Sequence, residues 1–185
     1  IYRECKRLKR LSVTLLKMLE ITEEKIEYKW LYTNLIVENI EKICFHHMMY
    51  STLEINMEQG QIFTDAALLI TLVRNLVENA DKACKDRDGG KVCLSGTVRS
   101  SKYVISVRDN GCGMAENEIE KVTDAFYVID KARDRTIGGT GIGLYICKKI
   151  CEALEIKMTI KSILNKGTEI ELLISKYRDV LEEDL

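Results

Sequence analysis

Proline is missing from all 185 residues, aromatic side chains make up 6% of them, and the formal net charge is only −1. With no proline, no internal repeat and no low-complexity tract, nothing reads as a stiff linker or a biased tail. Lysines, arginines and carboxylates mix along the whole length, so there is no basic field for a nucleic-acid backbone, and nucleic acid is excluded as a partner. The longest apolar run, Ala66-Ala67-Leu68-Leu69-Ile70, falls far short of the ~18–20 residues of a bilayer span. No secretory signal opens the chain; it begins at Ile1, in what reads as mid-helix, as a piece excised from something longer would. Seven cysteines (5, 44, 84, 93, 112, 147 and 151) form no CxxC pair. They fall mostly at apolar positions, the pattern of buried thiols in a reducing cytosol rather than of a disulfide framework. Cys44 with His46 and His47 lacks the second ligand pair a zinc site needs.

What is present is a globular composition, 46% hydrophobic and 31% charged, enough for one domain with an appendage. Ile1, Leu8 and Leu15, with Leu11 and Met18 at the other seam position, lay a narrow apolar stripe over residues 1–20. Such a stripe predicts a coiled-coil-like helix seeking a partner. Alternation at Ile26, Tyr28 and Trp30 predicts a short strand, and Thr33 or Asn34 caps a helix running to about residue 49. Residues 52–57 alternate again. Asp65 caps a helix over 66–84 whose positions 69, 72, 73, 76, 80 and 83 trace one apolar face. Strands at about 91–98 and 102–109 flank the turn Arg99-Ser100-Ser101, and a short polar helix follows near 115–122. Residues 124–140 show no period and hold several basic residues, as a binding loop would. A helix at 141–153 and a hairpin of 156–162 with 168–174 complete the pattern, and the charged end from Tyr177 is expected to fray. The class this predicts is α+β, a two-layer α/β sandwich with a mixed, mostly antiparallel sheet and helices on one face.

Four patches carry chemistry. On a helical wheel Asn75, Asn79 and Lys82 lie within roughly 60° of one another, along the edge of the apolar face. Asparagine is a poor helix former, so two at a core edge need a reason; the plain one is that they bond neighbouring backbone. The other is that an amide oxygen of Asn79 helps hold a Mg²⁺ that keeps its waters and phosphate oxygens, while Lys82 meets a phosphate. Asp109 ends a strand just before Asn110-Gly111-Cys112-Gly113. An ionised carboxylate only accepts hydrogen bonds, so it selects a base with an exocyclic amine, and Gly111 and Gly113 let the main chain lie close; the alternative is an ordinary Asn-Gly turn. Gly138-Gly139-Thr140-Gly141-Ile142-Gly143-Leu144 follows no strand, so it is not a dinucleotide fingerprint. It opens a helix whose free N–H groups suit phosphate, and Lys131, Arg133 and Arg135 precede it as cations within reach of a γ-phosphate or as a solvated basic loop. The fourth patch is Gly167-Thr168, at the final hairpin.

Asn75 to Lys82 resembles the N box, Asp109 to Gly113 the G1 box, Phe126 the F box and Gly139 to Leu144 the G2 box of sensor histidine kinases. These belong to the ATPase superfamily shared with gyrase, Hsp90 and MutL. The resemblance covers residues 33–175, and residues 1–20 resemble the second helix of a dimerisation and phosphotransfer hairpin. It implies a Bergerat-type ATP-binding fold in which Asn79 binds Mg²⁺, Asp109 recognises adenine, Gly167-Thr168 supports the base, and a flexible segment between Phe126 and Gly139 covers ATP. It implies the boundaries 1–22 for the hairpin helix, 23–176 for the catalytic domain and 177–185 for a charged tail. It also implies γ-phosphoryl transfer to a histidine and relay to the aspartate of a response-regulator receiver domain, by a homodimer whose cytoplasmic part carries this domain and whose full length is anchored in the membrane. Gyrase and Hsp90 place a water-activating glutamate where this chain has Asn75, which favours transfer to a side chain over hydrolysis. Asn75, Lys82 and Arg133 are the expected catalytic residues. Two departures stand out: Ala125 precedes Phe126 where the kinases often have proline, and no His-Glu-x-x-x-Pro acceptor segment occurs. A nucleotide-binding regulatory module of the same superfamily, without kinase output, is the alternative.

Overall fold

The computed structural model describes residues 26–44, 48–129 and 141–178. The expected paired helix of residues 1–20, Cys5, His46 and His47, Lys131, Arg133, Arg135, Gly139 and Thr140, and the tail beyond residue 178 lie outside the described residues.

The elements run β1 Lys29–Tyr32, α1 Thr33–Cys44, β2 Ser51–Met57, β3 Gln61–Thr64, α2 Ala66–Ala83, β4 Gly90–Arg99, β5 Lys102–Asp109, α3 Glu116–Ile119, α4 Gly143–Ala153, β6 Lys157–Ile163, β7 Gly167–Ile174 and β8 Tyr177–Arg178. Five strands form the main sheet in the order β2-β4-β5-β7-β6. All its pairings are antiparallel except β2 with β4. That matches the mixed, mostly antiparallel sheet read from the sequence.

Alternation puts one set of strand residues against the helices. Val92, Leu94, Ile105, Val107, Ile170 and Leu172 share the inner face and are buried there. Against them α2 sets Leu69, Leu72, Val73, Leu76, Val77 and Ala80, and α1 adds Ile36 and Ile40 while α4 adds Cys147, Ile150 and Cys151. Each fully buried aliphatic residue contributes about 1.5–3 kcal/mol of transfer free energy, so this single core fixes the register of the strands on which the polar residues ride. The N-terminus of α2 is set as expected: the Asp65 carboxylate accepts from Leu68 N at 3.0 Å and from Glu27 N at 3.0 Å.

A small second sheet, β1-β3-β8, was not foreseen. Here Trp30 and Phe63 pack at 5.3 Å and the Arg178 guanidinium sits 4.4 Å above the Trp30 ring. Tyr177 and Arg178, expected to belong to a fraying end, instead pair with Ile62 and Gln61. The pairing outweighs the local charge because the tyrosine ring packs on buried Tyr103, centroid to centroid 5.3 Å.

Candidate functional site: the polar flank of helix α2

Along α2, Asn79 lies against the start of α4 and Ala83 against the loop that follows β5. Asn75 and Asn79 are half-buried and Lys82 is exposed. The Asn75 amide donates to Thr71 O at 2.8 Å, so its nitrogen serves its own helix, as the plain reading of that residue required. No such bond engages Asn79 among the described residues. Its amide instead lies against the first residue of α4: a Cβ placed on Gly143 would stand 3.2 Å from Asn79 Nδ2 and 3.3 Å from Oδ1. Glycine keeps that approach open, so the amide meets the end of the helix where backbone N–H groups are free. The cap residue Ile142 provides no side-chain bond to those groups. The Ile142 side chain is itself core, so only its main chain can serve a ligand, and Leu144 packs partly into the same core.

One turn further along α2, about 5.4 Å, the glycine loop docks. Cys112 N donates to Ala83 O at 3.0 Å, and a Cβ on Gly111 would fall 2.5 Å from that same carbonyl. Any larger residue would push the loop off the helix. On the other side Gly113, at φ +58°, passes within Cβ range of Ile163 O.

Asp109 sits where these pieces converge, 7% exposed. Its Oδ1 accepts from Gly111 N at 2.8 Å and from Thr168 N at 3.3 Å. No hydrogen bond engages Oδ2 among the described residues. Burial pushes the carboxyl above the ordinary aspartate range, and the two backbone N–H groups pull it partly back. Among the described residues no cation pairs with it. Gly167, at φ +117°, crosses directly over the Asp109 carbonyl, where a Cβ would come within 2.0 Å; this explains the glycine of the Gly167-Thr168 patch.

The structure therefore brings together Asn79 with Gly143, and Asp109 with Gly111 and Thr168, both groups on the flank of α2. Phe126 is tied to the segment just before α4: its N–H donates to Gly141 O at 2.9 Å, both residues holding positive φ, +65° and +66°. The residue is 59% exposed and is no part of the core cluster. The open groove of about 400 Å³ beside Ile119, Lys148, Cys151 and Met158 lies elsewhere, between α3, α4 and β6.

Two contributing residues escaped the sequence reading. Asp81, between Asn79 and Lys82, is buried and accepts from Met49 N, Tyr50 N and Ser51 Oγ at 3.1, 3.0 and 2.8 Å. It locks the rotation of the helix turn that presents Asn79; a charge at the apolar margin of the wheel was its signal. Ser162, beneath Thr168, left no signal until the hairpin register was known.

The comparisons agree with this geometry. Residues 64–178 match the family described as histidine kinase-, DNA gyrase B- and HSP90-like ATPase, and the chain belongs to that family. Sensor histidine kinase WalK of Bacillus subtilis is 30% identical, the match covering 98% of this chain and 30% of that protein; sensor protein SrrB of Staphylococcus aureus is 34% identical over 57% of this chain and 18% of its own length. This chain thus spans less than a third of the curated relatives it matches. In fold it resembles the Acinetobacter baumannii histidine kinase AdeS, with TM-score 0.74 and 18% identity over 93% of this chain and 80% of that one.

Proposed function

We propose that the chain is the ATP-binding catalytic part of a sensor protein-histidine kinase, which positions ATP·Mg²⁺ so that its γ-phosphoryl group passes to a histidine outside these residues and then to an aspartate of a response regulator. The observation carrying this is the pairing, along one helix flank, of an amide at a helix N-terminus without a side-chain cap with a buried carboxylate that meets no cation among the described residues. The relative WalK, named a sensor histidine kinase, supports the kinase output, and the fold relative ShkA, at TM-score 0.76 and 18% identity over 94% of this chain and 36% of that one, was crystallised with AMPPNP.

In this reading Asp109 accepts the adenine amine, Gly111 and Gly113 let backbone lie against the ring, and Thr168 supports it. The N–H groups of Gly141, Gly143 and Leu144, with Gly139 and Thr140, meet the phosphates. Lys82, Lys131 and Arg133 add cationic contacts, and Phe126 anchors the covering segment. Among the described residues no three His, Cys, Asp or Glu side chains cluster as a metal site. The donor set fits a Mg²⁺ carried in on the phosphates, to which Asn79 adds one oxygen; the ion would neutralise charge developing during transfer. The protein's contribution is alignment, and Asn75, where a water-activating carboxylate would have to stand, offers no base for hydrolysis. Dimerisation through the hairpin helix and membrane anchoring of the full-length protein belong to the same proposal.

Incubating the chain with γ-labelled ATP·Mg²⁺, alone and with a separately supplied histidine hairpin of the intact kinase, tests it. Label is expected on the hairpin and none on this chain. Label on His46 or His47, or rapid phosphate release without a hairpin, contradicts the proposal.

A further inference from the structure

The ends of β5, β7 and β6 carry three polar side chains on the helix-facing side of the sheet. Asp109 shares the parity of Ile105 and Val107, Thr168 that of Ile170 and Leu172, and Ser162 stands directly opposite Thr168 in the hairpin. Among the described residues Ser162 Oγ has three hydrogen-bond neighbours: Met114 N at 2.8 Å, Gly167 O at 3.1 Å and Thr168 Oγ1 at 2.9 Å. A hydroxyl has one proton and two lone pairs. Met114 N–H can only donate, so it takes one lone pair. The Gly167 carbonyl can only accept, so it takes the proton. The remaining lone pair must then accept from the Thr168 hydroxyl. In this arrangement every partner is used and no buried group is stranded.

The consequence lies at Thr168. With its proton turned back to Ser162, Thr168 Oγ1 presents only lone pairs, beside a carboxylate that also only accepts. We propose that Ser162 is a specificity-determining positioning residue: it fixes the proton of the Thr168 hydroxyl so that the 6-position of a bound purine meets two acceptors. This inference rests on the nucleotide reading above. A 6-amino purine satisfies such an edge with its N–H groups. A 6-oxo purine sets an acceptor against acceptors, and a buried unmatched pair costs more than a lost bond. Ser162 also joins the glycine loop, through Met114, to the hairpin of β6 and β7.

The test compares dissociation constants for ATP and inosine triphosphate, which carries a 6-oxo group in place of the amine. In Ser162→Ala the Thr168 proton is released to donate to a 6-oxo group, and the preference for ATP is expected to fall about tenfold, equivalent to ~1.4 kcal/mol. Thr168→Val, which leaves Ser162 in place, should give a similar fall, and Ser162→Thr, which restores the hydroxyl, should keep the wild-type preference. In the Thr168→Val background Ser162→Ala should change the preference by less than about twofold, because the proton it controls is gone. A Ser162→Ala preference within about twofold of wild type overturns the inference, as does an equal fall with and without the Thr168 hydroxyl, which would mark a general loosening of the hairpin. ATP binding with an unmoved preference sinks this inference alone; a wild-type chain that binds neither nucleotide sinks the nucleotide reading with it.

Discussion

Two carboxylates on opposite faces of the same sheet are treated in opposite ways. Glu171, on the outer face of β7, accepts from Arg99 at 2.7 Å and from Lys161 at 2.9 Å, and these cations, Lys161 foremost, hold its carboxyl below the usual range. Asp109, on the inner face of β5, has no cation among the described residues, and burial raises it. Glu171 is neutralised by two cations near the surface, whereas Asp109 keeps only two backbone N–H partners among the described residues. Leaving a buried carboxylate without a cation costs stability, and folds retain such costs where a ligand recovers them.

The largest way to break the contrast is Gly167→Ala. The new Cβ would meet the Asp109 carbonyl at a φ that side chains avoid, so unfolding free energy should drop by roughly 3 kcal/mol and ATP binding should vanish with the displaced carboxylate, as chemical denaturation and titration would show. Asn79→Ala should leave the melting temperature close to wild type but weaken ATP·Mg²⁺ binding by about 2 kcal/mol, roughly thirtyfold, with little effect on ATP measured without the metal. Acidification sharpens the comparison further. Because Asp109 titrates above the ordinary aspartate range, ATP affinity should begin to fall at a higher pH than a solvent-exposed aspartate would dictate. The sign for apo stability is the reverse: a raised folded pKa favours the protonated form, so Asp109→Asn should raise the apo melting temperature, each ~1 kcal/mol of relief appearing as roughly 2–4 °C. Smallest is Glu171→Gln. Its lowered carboxyl contributes stability above the usual carboxylate range, lost as pH falls through its folded value. The exchange should cost under about 1 kcal/mol and disappear in 1 M salt.

Long periodic segments were legible in the sequence because burial enforces period. The face of α2 and the alternation of β4, β5 and β7 emerge within a residue or two of expectation, and with them the places of Asn79 and Asp109. The small sheet was not legible. In β3 Gln61, Ile62 and Thr64 are all buried, so no alternation appears, and β8 is a two-residue strand held by Tyr103 and Trp30, contacts far away in sequence. Ser162 was illegible for a related reason: a serine in a strand means nothing until the register places Thr168 across from it. Asn75 stood between two readings, and the structure realises the backbone bond for its nitrogen while leaving its oxygen unassigned.

Calorimetric titration of ATP and GTP into the wild-type chain and into Asp109→Asn tests the central claim most directly. The account predicts ATP binding well over tenfold tighter than GTP in wild type, and loss of ATP binding in the variant, whose fold melts no lower than the parent. Equal affinity for the two nucleotides, or undiminished ATP binding by Asp109→Asn, would contradict it.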